Sequence, residues 1–132
     1  MLSEENRKIV VALELEKSKK FFAEVQELVK LHFWDTAINR LYYSMFHSAS
    51  ALLIYSGLEV KTHKGVSLML GEHFVKNNIL TVEEAKFYAR MQNLRERGDY
   101  NCSYNATEED VVKMIAPTEN FIKRIEQIIN NS

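Results

Sequence analysis

The 132-residue sequence contains few of the residues that interrupt regular structure. It has 4 glycines and 1 proline, where average composition would give roughly nine glycines and about seven prolines. A sandwich or barrel of short strands needs many tight turns, and those turns use glycine and proline. The scarcity therefore argues against such folds and favours helices. The length suits one domain, spanning residues 1–132.

Cysteine is nearly absent as well. Cys102 is the one cysteine, and it cannot form a disulfide within the chain, which is typical of proteins in the reducing cytoplasm. It lies in a polar stretch without a neighbouring histidine, so we expect a non-catalytic thiol. One thiol and four scattered histidines do not form a cluster of metal ligands. We expect neither a metal site nor a cofactor.

Long apolar runs and an excess of one charge are also missing. The 17 Lys and Arg nearly balance the 18 Asp and Glu, giving a net charge of -1, so there is no overall basicity of the kind that marks nucleic-acid binders. The N-terminal segment mixes both signs and lacks the apolar core of a signal peptide. Apolar runs such as residues 48–55 are far shorter than the roughly 18 residues of a membrane span. We expect a cytoplasmic protein without membrane contact.

Hydrophobic residues recur at helical spacing along most of the chain, which predicts an all-α protein. The joints between the periodic segments are short, and this is typical of an antiparallel up-down bundle of four to five helices. The predicted helices cover approximately residues 4–31, 36–55, 64–77, 82–97 and 108–129.

Local signals predict where these helices begin and end. Asp35 is a suitable N-cap for the second helix, and Thr81 begins a capping-box pattern for the fourth. Gly57 fits the left-handed position after the second helix, and Gly98 is expected to stop the fourth. Pro117 should kink or break the last helix, because proline removes a backbone donor and clashes with the preceding turn.

The first helix has an unusual apolar segment. Residues 9–15 are apolar almost all round the helix. Such a segment is either well buried or an association surface. The sequence leaves both interpretations open.

A polar stripe on the second helix is the first candidate site. Arg40 and His47 are seven residues apart, so they point in nearly the same direction, about 20° apart, with Tyr43 between them. A guanidinium binds phosphate oxygens bidentately and an imidazole can move a proton, so the stripe suits a phosphate-bearing ligand. The same pattern suits a buried polar network that ties helices together. Spacing alone does not separate the two.

Two later segments add candidates. Lys61 and His63 lie in a basic stretch at the start of the third helix, where a helix N-terminus would attract anions; a solvated loop with a capping threonine is the alternative. His73 is an isolated histidine within the third helix, and we expect it on the surface or satisfied in the core. Arg95 and Asp99 are four residues apart and can pair, although Asp99 could equally orient an arginine or histidine from the second helix.

The motifs in combination resemble the HEPN family (higher eukaryotes and prokaryotes nucleotide-binding). The similarity rests on AINRLYYSMFH at residues 37–47, then Lys61-Thr62-His63, then GEHFV at 71–75, and finally Arg95 with Asp99-Tyr100. It covers nearly the whole chain from the second helix onward. The sequence is most similar to the small, stand-alone prokaryotic members.

The resemblance implies a fold and a class of partners. It implies a bundle of four or five antiparallel helices that pairs as a homodimer. Many members are encoded beside a minimal nucleotidyltransferase and work with it as a toxin–antitoxin pair. The HEPN protein is then often a metal-independent ribonuclease, in which an Arg and a His a few residues apart act on the scissile phosphate and as general acid/base.

The sequence departs from that nuclease pattern at one place. In nuclease members the Arg/His signature usually lies late in the chain, but no histidine follows Arg95 here, and the one Arg-x6-His spacing is Arg40 to His47. One interpretation is a metal-independent ribonuclease with Arg40 and His47 as catalytic residues. A second is a structural interaction module without a ligand. We favour a third interpretation, in which the protein is a module that binds a nucleotide, another phosphate-bearing ligand or RNA. The residues that would hold this ligand are Arg40, Tyr43, His47, Lys61, His63, Arg95, Asp99 and Tyr100.

Overall fold

The computed structural model describes residues 2–131, and every regular element in that range is helical. The predicted all-α class is therefore confirmed. Consecutive helices are joined by short segments, as the sequence indicated. The elements are α1 (Glu4–Lys30), α2 (Trp34–Tyr55), α3 (His63–Met69), a π-helical segment (Leu70–Val75), α4 (Val82–Tyr100) and α5 (Glu108–Asn130).

The second helix is the centre of the bundle. It packs against α1, α3, α4 and α5. Fully burying one large apolar side chain contributes about 1.5–3 kcal/mol, so this helix contributes heavily to the core. Its apolar stripe faces the core, because five members are completely buried: Leu41, Tyr42, Met45, Ala49 and Leu52.

The start of α2 differs from the prediction. The helix begins at Trp34 with Phe33 in the N-cap position, so Asp35 lies in the first turn and is not the N-cap. The carboxylate of Asp35 instead accepts the backbone N–H of Ala106 at 2.7 Å. The prediction was wrong because a carboxylate near a helix start can satisfy a donor of a distant loop as well as one of its own helix. This bond holds the loop before α5 against α2.

The glycine and threonine signals had different outcomes. Gly57 has φ +82° after α2, as predicted, and Thr81 forms the predicted capping box with Glu84. Gly98 does not end α4, which continues to Tyr100. Glycine stops a helix where the chain needs a left-handed residue, and the backbone N–H of Asn101 still donates to the carbonyl of Arg97 in the helical pattern.

Pro117 does not break the last helix, which runs from Glu108 to Asn130 through it. Proline removes one backbone donor, but the residues on either side remain helical. Thr118, Phe121 and Ile122, which follow directly, are all buried. Their packing holds the second half of α5 in line with the core.

The third predicted helix contains a change of helical type. It is α-helical to Met69 and then forms a π-helical segment to Val75. A π turn contains more residues than an α turn. The spacing of apolar residues did not reveal the π-helical segment, because Leu70 and Phe74 are buried in it as they would be in an α-helix.

The apolar segment of α1 is divided between core and surface. Val11 is buried, whereas the side chains of Ile9 and Leu13 are 54% and 59% exposed. The segment is therefore buried on the face that carries Val11 and exposed on the face that carries Ile9 and Leu13. None of the helices described between residues 2 and 131 has the length and apolar character needed to cross a bilayer.

Candidate functional site

Rings from α2 and α3 form a connected set, which we name the aromatic–histidine cluster: Tyr42, Tyr43, Phe46, His47 and His63. Spacings of three and four on α2 bring Tyr43, Phe46 and His47 to one face. His63 is the first residue of α3, where Thr62 caps the helix, and its ring centroid lies 4.4 Å from that of Phe46. Tyr42 is buried, and the other four rings are half-buried. The cluster therefore has a buried base and a partly open face.

The hydroxyl of Tyr42 fixes the imidazole of His63. Its oxygen lies 2.8 Å from Nδ1 of His63. Burial, reinforced by the positive charge of Arg95, lowers the pKa of His63 below its ordinary value of 6.5, and burial raises the pKa of Tyr42 above 10.0. At pH 7 the tyrosine is protonated and the histidine neutral, so we assign the hydroxyl as donor to Nδ1. The remaining proton of His63 is then on Nε2, which is a donor for a ligand.

Arg95 of α4 lies against the same two tyrosines. The central carbon of its guanidinium is 4.9 Å from the ring centroid of Tyr42 and 5.8 Å from that of Tyr43. Its side chain is 10% exposed, and Nη1 donates to Asp99 Oδ2 at 2.9 Å. The predicted Arg95–Asp99 pair is therefore confirmed, and the alternative partners for Asp99 on α2 are not used. Arg95 and His63 come from different helices and meet the same aromatic surface.

The inner face of α4 carries polar atoms that lack partners. Within residues 2–131, buried atoms without a hydrogen bond include Gln92 Oε1 and Arg95 Nε. Buried polar groups are nearly always paired, and each exception needs an explanation. The unpartnered Nε of Arg95 is a charged donor beside the cluster. It is suited to an acceptor atom of a ligand.

Arg40 and His47 are both engaged by the first helix. Arg40 Nε donates to Glu24 Oε2 at 2.9 Å, and His47 Nδ1 lies 2.8 Å from Glu14 Oε2. The ring of Phe21 contacts both, since its centroid lies 4.9 Å from the central carbon of the Arg40 guanidinium and 5.5 Å from the ring centroid of His47. The two residues thus face α1, as a network that ties helices together would require. His47 also touches Tyr43 and Phe46, so it belongs to the cluster as well.

Besides Arg40, which contacts α1, two predicted site residues lie away from the cluster. Lys61 is 79% exposed in its side chain and pairs with Glu59 at 3.7 Å. Tyr100 is 82% exposed at the end of α4. The structure brings together Tyr43, His47, His63, Arg95 and Asp99, but not Lys61 or Tyr100.

Several residues that shape the site were not predicted from sequence. They are Tyr42, Phe46 and Tyr88 around His63 and Arg95, and Glu14, Phe21 and Glu24 on α1. Some of them could have been found from the sequence, because residues seven positions apart share a face of an α-helix. Glu14 and Phe21 are related in this way on α1, and Tyr88 and Arg95 on α4. Which helix these faces meet is tertiary information that no single periodicity contains.

Within residues 2–131, no group of three or more His, Cys, Asp or Glu side chains is placed to hold a metal ion. Cys102 is an exposed free thiol. What the cluster offers is a guanidinium, a neutral imidazole and aromatic surface.

Comparison with known proteins adds a family and a set of relatives. The model of the HEPN domain matches residues 11–128. A UPF0332 protein of Thermotoga maritima is 34% identical over 115 residues, which are 87% of each chain. A protein of Methanocaldococcus jannaschii that is provisionally named toxin MJ0605 is 30% identical over 98% of this chain and 95% of its own length. A second protein of that organism, provisionally named toxin MJ0142, is 29% identical over 87% of this chain and 78% of its own.

Proposed function

The chain belongs to the HEPN domain family, and from that premise we propose that it is the HEPN component of a toxin–antitoxin-type pair. We further propose that it binds a nucleotide or similar phosphate-bearing ligand at the aromatic–histidine cluster and Arg95. The provisional toxin names of two relatives support the first statement. The geometry around Arg95 supports the second.

The observation that carries the ligand proposal is the incomplete hydrogen bonding of the buried Arg95 side chain. A guanidinium that is nine-tenths buried is costly unless it is fully paired. Asp99 satisfies Nη1, while Nε has no partner among the described residues. Arginine is the preferred side chain for phosphate because its donors match phosphate oxygens in pairs. A ligand oxygen would therefore complete an interaction that the folded chain leaves open.

The neighbouring groups suit the rest of a nucleotide. His63 presents Nε2–H as a neutral donor, so its contribution to phosphate binding does not require protonation. Tyr43 and Phe46 are half-buried rings, and aromatic faces stack on nucleobases, contributing about 1–3 kcal/mol per base. Phosphate donors and stacking surface thus lie side by side.

Isothermal titration with adenosine 5′-monophosphate and with inorganic phosphate tests the ligand proposal. Arg95→Gln should weaken binding of both by about tenfold or more, because a charge-assisted hydrogen bond contributes roughly 1.5–3 kcal/mol. Arg90→Gln is the matched control, since Arg90 is an exposed arginine of the same helix and should bind as the unmodified protein does. Absence of binding by the unmodified protein would refute the ligand proposal.

We propose that the protein acts as a homodimer beside a minimal nucleotidyltransferase. The exposed side chains of Ile9 and Leu13 on α1 support association, because they offer an apolar surface that a second chain could cover. Light scattering should give twice the chain mass, and Ile9→Glu with Leu13→Glu should reduce it to one. Co-purification with a nucleotidyltransferase encoded beside it tests the partner; failure to co-purify would count against the pair.

A metal-independent ribonuclease is the second candidate, and one contact favours it. The carboxylate of Glu14 lies 2.8 Å from Nδ1 of His47, the arrangement in which a carboxylate orients a histidine that acts as general base through its other nitrogen. RNA cleavage measured in EDTA tests it. Cleavage should be lost in His47→Ala and reduced in Glu14→Gln, and cleavage that persists in His47→Ala would exclude this mechanism.

A further inference from the structure

Exposed apolar side chains gather at the end of the bundle where α2 begins. Four of the nine large hydrophobic residues that are exposed within residues 2–131 lie there, and each of the four is at least 50% exposed: Leu31, Phe33, Tyr100 and Val112. Single exposed apolar residues are ordinary on a protein surface, whereas a group of them marks an interaction site. We name these four residues the end patch.

Contacts of α2 with α4 place three of the four residues together. Phe33 is the N-cap of α2, the central helix, and Leu31 is the C-cap of α1 two residues before it. Asp35, in the first turn of α2, lines a small cavity together with Asp99 near the end of α4. Tyr100 is the next residue after Asp99. The end of α4 therefore lies beside the start of α2.

The start of α5 lies at the same end. The backbone N–H of Ala106 donates to the carboxylate of Asp35 at 2.7 Å, two residues before α5 begins at Glu108. Val112 follows Glu108 by one helical turn and shares its face of α5. Because neighbouring packed helices lie about 8–10 Å apart, one protein surface can span the end patch.

The joint between α1 and α2 presents two of the four residues in a fixed conformation. His32, between Leu31 and Phe33, is left-handed with φ +61°, and its ring stacks on Trp34 with the centroids 5.2 Å apart. The backbone N–H of Phe33 donates to the carbonyl of Leu28 at 2.9 Å. A surface that is already ordered loses little conformational entropy on binding. The joint is therefore suited to a protein interface.

Acidic side chains border the end patch. Glu108 and Glu109 are exposed in the first turn of α5, and neither has a hydrogen-bond or ion-pair partner within residues 2–131. Of the nearby cations, Lys30 pairs with a glutamate of its own helix, Arg97 lies over a tyrosine ring, and Lys113 adjoins the third carboxylate of the same turn. The border of the patch therefore carries uncompensated negative charge.

This charge decides which kind of partner fits the patch. Carboxylates repel the phosphates of nucleic acids and of anionic lipids. A second copy, related by a two-fold axis, would bring the acidic turn towards the same turn of its partner. A different protein, with an apolar pocket bordered by lysine and arginine, complements both the apolar side chains and the negative border.

We propose that the end patch docks a different protein, whose surface offers an apolar pocket bordered by lysine or arginine. The inference rests on the proposed function, in which that protein is the minimal nucleotidyltransferase. Phe33 and Tyr100 are the anchors, because aromatic side chains supply large contact areas in the cores of interfaces. Tyr100 follows Asp99, which accepts a hydrogen bond from Arg95, so the docked protein lies next to the proposed ligand site.

Fluorine NMR tests the location without any variant. Trp34 is the single tryptophan of the chain and directly follows Phe33, so a chain labelled with 5-fluorotryptophan gives one resonance from this end. The purified nucleotidyltransferase encoded beside the chain should shift or broaden that resonance. A shift caused by a higher concentration of the chain alone, or by phosphatidylcholine vesicles, would identify another occupant and overturn the proposal.

Isothermal titration with the same nucleotidyltransferase tests the anchors. Phe33→Ala and Tyr100→Ala should each weaken binding by about tenfold or more, as expected for residues at the centre of an interface. Leu68→Ala is the matched control, because Leu68 is an exposed apolar residue of α3 outside the patch, and it should bind as the unmodified protein does. Thermal melting establishes that the three variants are folded.

The acidic border is tested by the rate of association. Glu108→Gln with Glu109→Gln should slow association and reduce its dependence on salt. Glu4→Gln with Glu5→Gln changes the acidic first turn of α1 and is the matched control. Unchanged binding by the two alanine variants of the anchors, with an unshifted fluorine resonance, would overturn the end patch alone. Absence of binding by the unmodified chain would overturn the proposed pair together with it.

Discussion

The hydroxyl of Tyr42 lies 2.8 Å from Nδ1 of His63, and this single bond links the centre of α2 to the first residue of α3. Tyr42 is completely buried, so the bond anchors His63 from the inside of the bundle. Its ring also lies under the guanidinium of Arg95. One buried tyrosine thus positions two groups that come from two other helices.

Replacement of Tyr42 by Phe removes the hydroxyl and keeps the ring. We expect the free energy of unfolding to fall by about 1 kcal/mol, because Nδ1 of His63 loses its hydrogen bond in a partly buried place. Urea denaturation measures this change. Tyr100→Phe provides the comparison for loss of a hydroxyl outside the cluster, because Tyr100 is 82% exposed. A variant as stable as the unmodified protein would contradict the role assigned to this bond.

Protonation of His63 should make stability depend on pH. The pKa of His63 is lowered below 6.5 in the folded protein, so the unfolded chain takes up this proton at higher pH than the folded chain does. The contribution of His63 to the free energy of unfolding is therefore complete above about pH 6.5 and is lost as pH falls through the folded-state pKa.

His63→Gln should flatten this acid-side decline, and His73→Gln should not, since His73 is an exposed histidine. Denaturant titrations at a series of pH values between 5 and 8 measure both. Parallel pH profiles for the unmodified protein and His63→Gln would show that His63 is not the group responsible.

Coupling between α1 and α2 can be measured by double-mutant cycles. Glu14 and His47 are in contact with largely buried side chains, so Glu14→Ala and His47→Ala should be non-additive by about 0.5 kcal/mol or more. Arg40 and Asp99 have different partners, Glu24 and Arg95, so Arg40→Ala and Asp99→Ala should be additive. Additive behaviour of the Glu14–His47 pair would refute the contact.

Two glycines should respond oppositely to alanine. Gly98 is helical, and a methyl group there meets no atom within 4 Å, so Gly98→Ala should stabilise the protein by about 0.5–1 kcal/mol. Gly57 has φ +82°, where alanine is strained, so Gly57→Ala should destabilise it by about 1 kcal/mol. Thermal denaturation of both variants measures the sign. Destabilisation by Gly98→Ala would indicate that α4 ends before this residue.

The helical class, the core stripe of α2 and several caps were predictable because they depend on residues close in sequence. Thr81 and Gly57 are examples, since each satisfies or redirects backbone within one turn. Asp35 was mispredicted because its partner, Ala106, is distant in sequence. Gly98 was overestimated as a breaker because the chain needs no left-handed residue there and α4 continues to Tyr100. Pro117 was overestimated because the packing of α5 outweighs its local cost.

The site was predictable in part for the same reason. The Arg95–Asp99 pair is a local helical spacing and was found. The meeting of Arg95 with His63 depends on how α3 and α4 pack around Tyr42, which no spacing in one helix contains. Arg40 and His47 were correctly placed on one face of α2, but the sequence alone did not reveal that α1 supplies Glu24 and Glu14 to that face.

The π-helical segment Leu70–Val75 also bears on how the length of this region can vary. A π turn contains one residue more than an α-helical turn. A single residue can therefore be inserted within the helix at this point without lengthening a loop. Deleting Gly71 should convert the segment to a regular α-helix and preserve the connection to α4. We therefore expect relatives of this chain to differ by a one-residue gap at this position while keeping the same bundle.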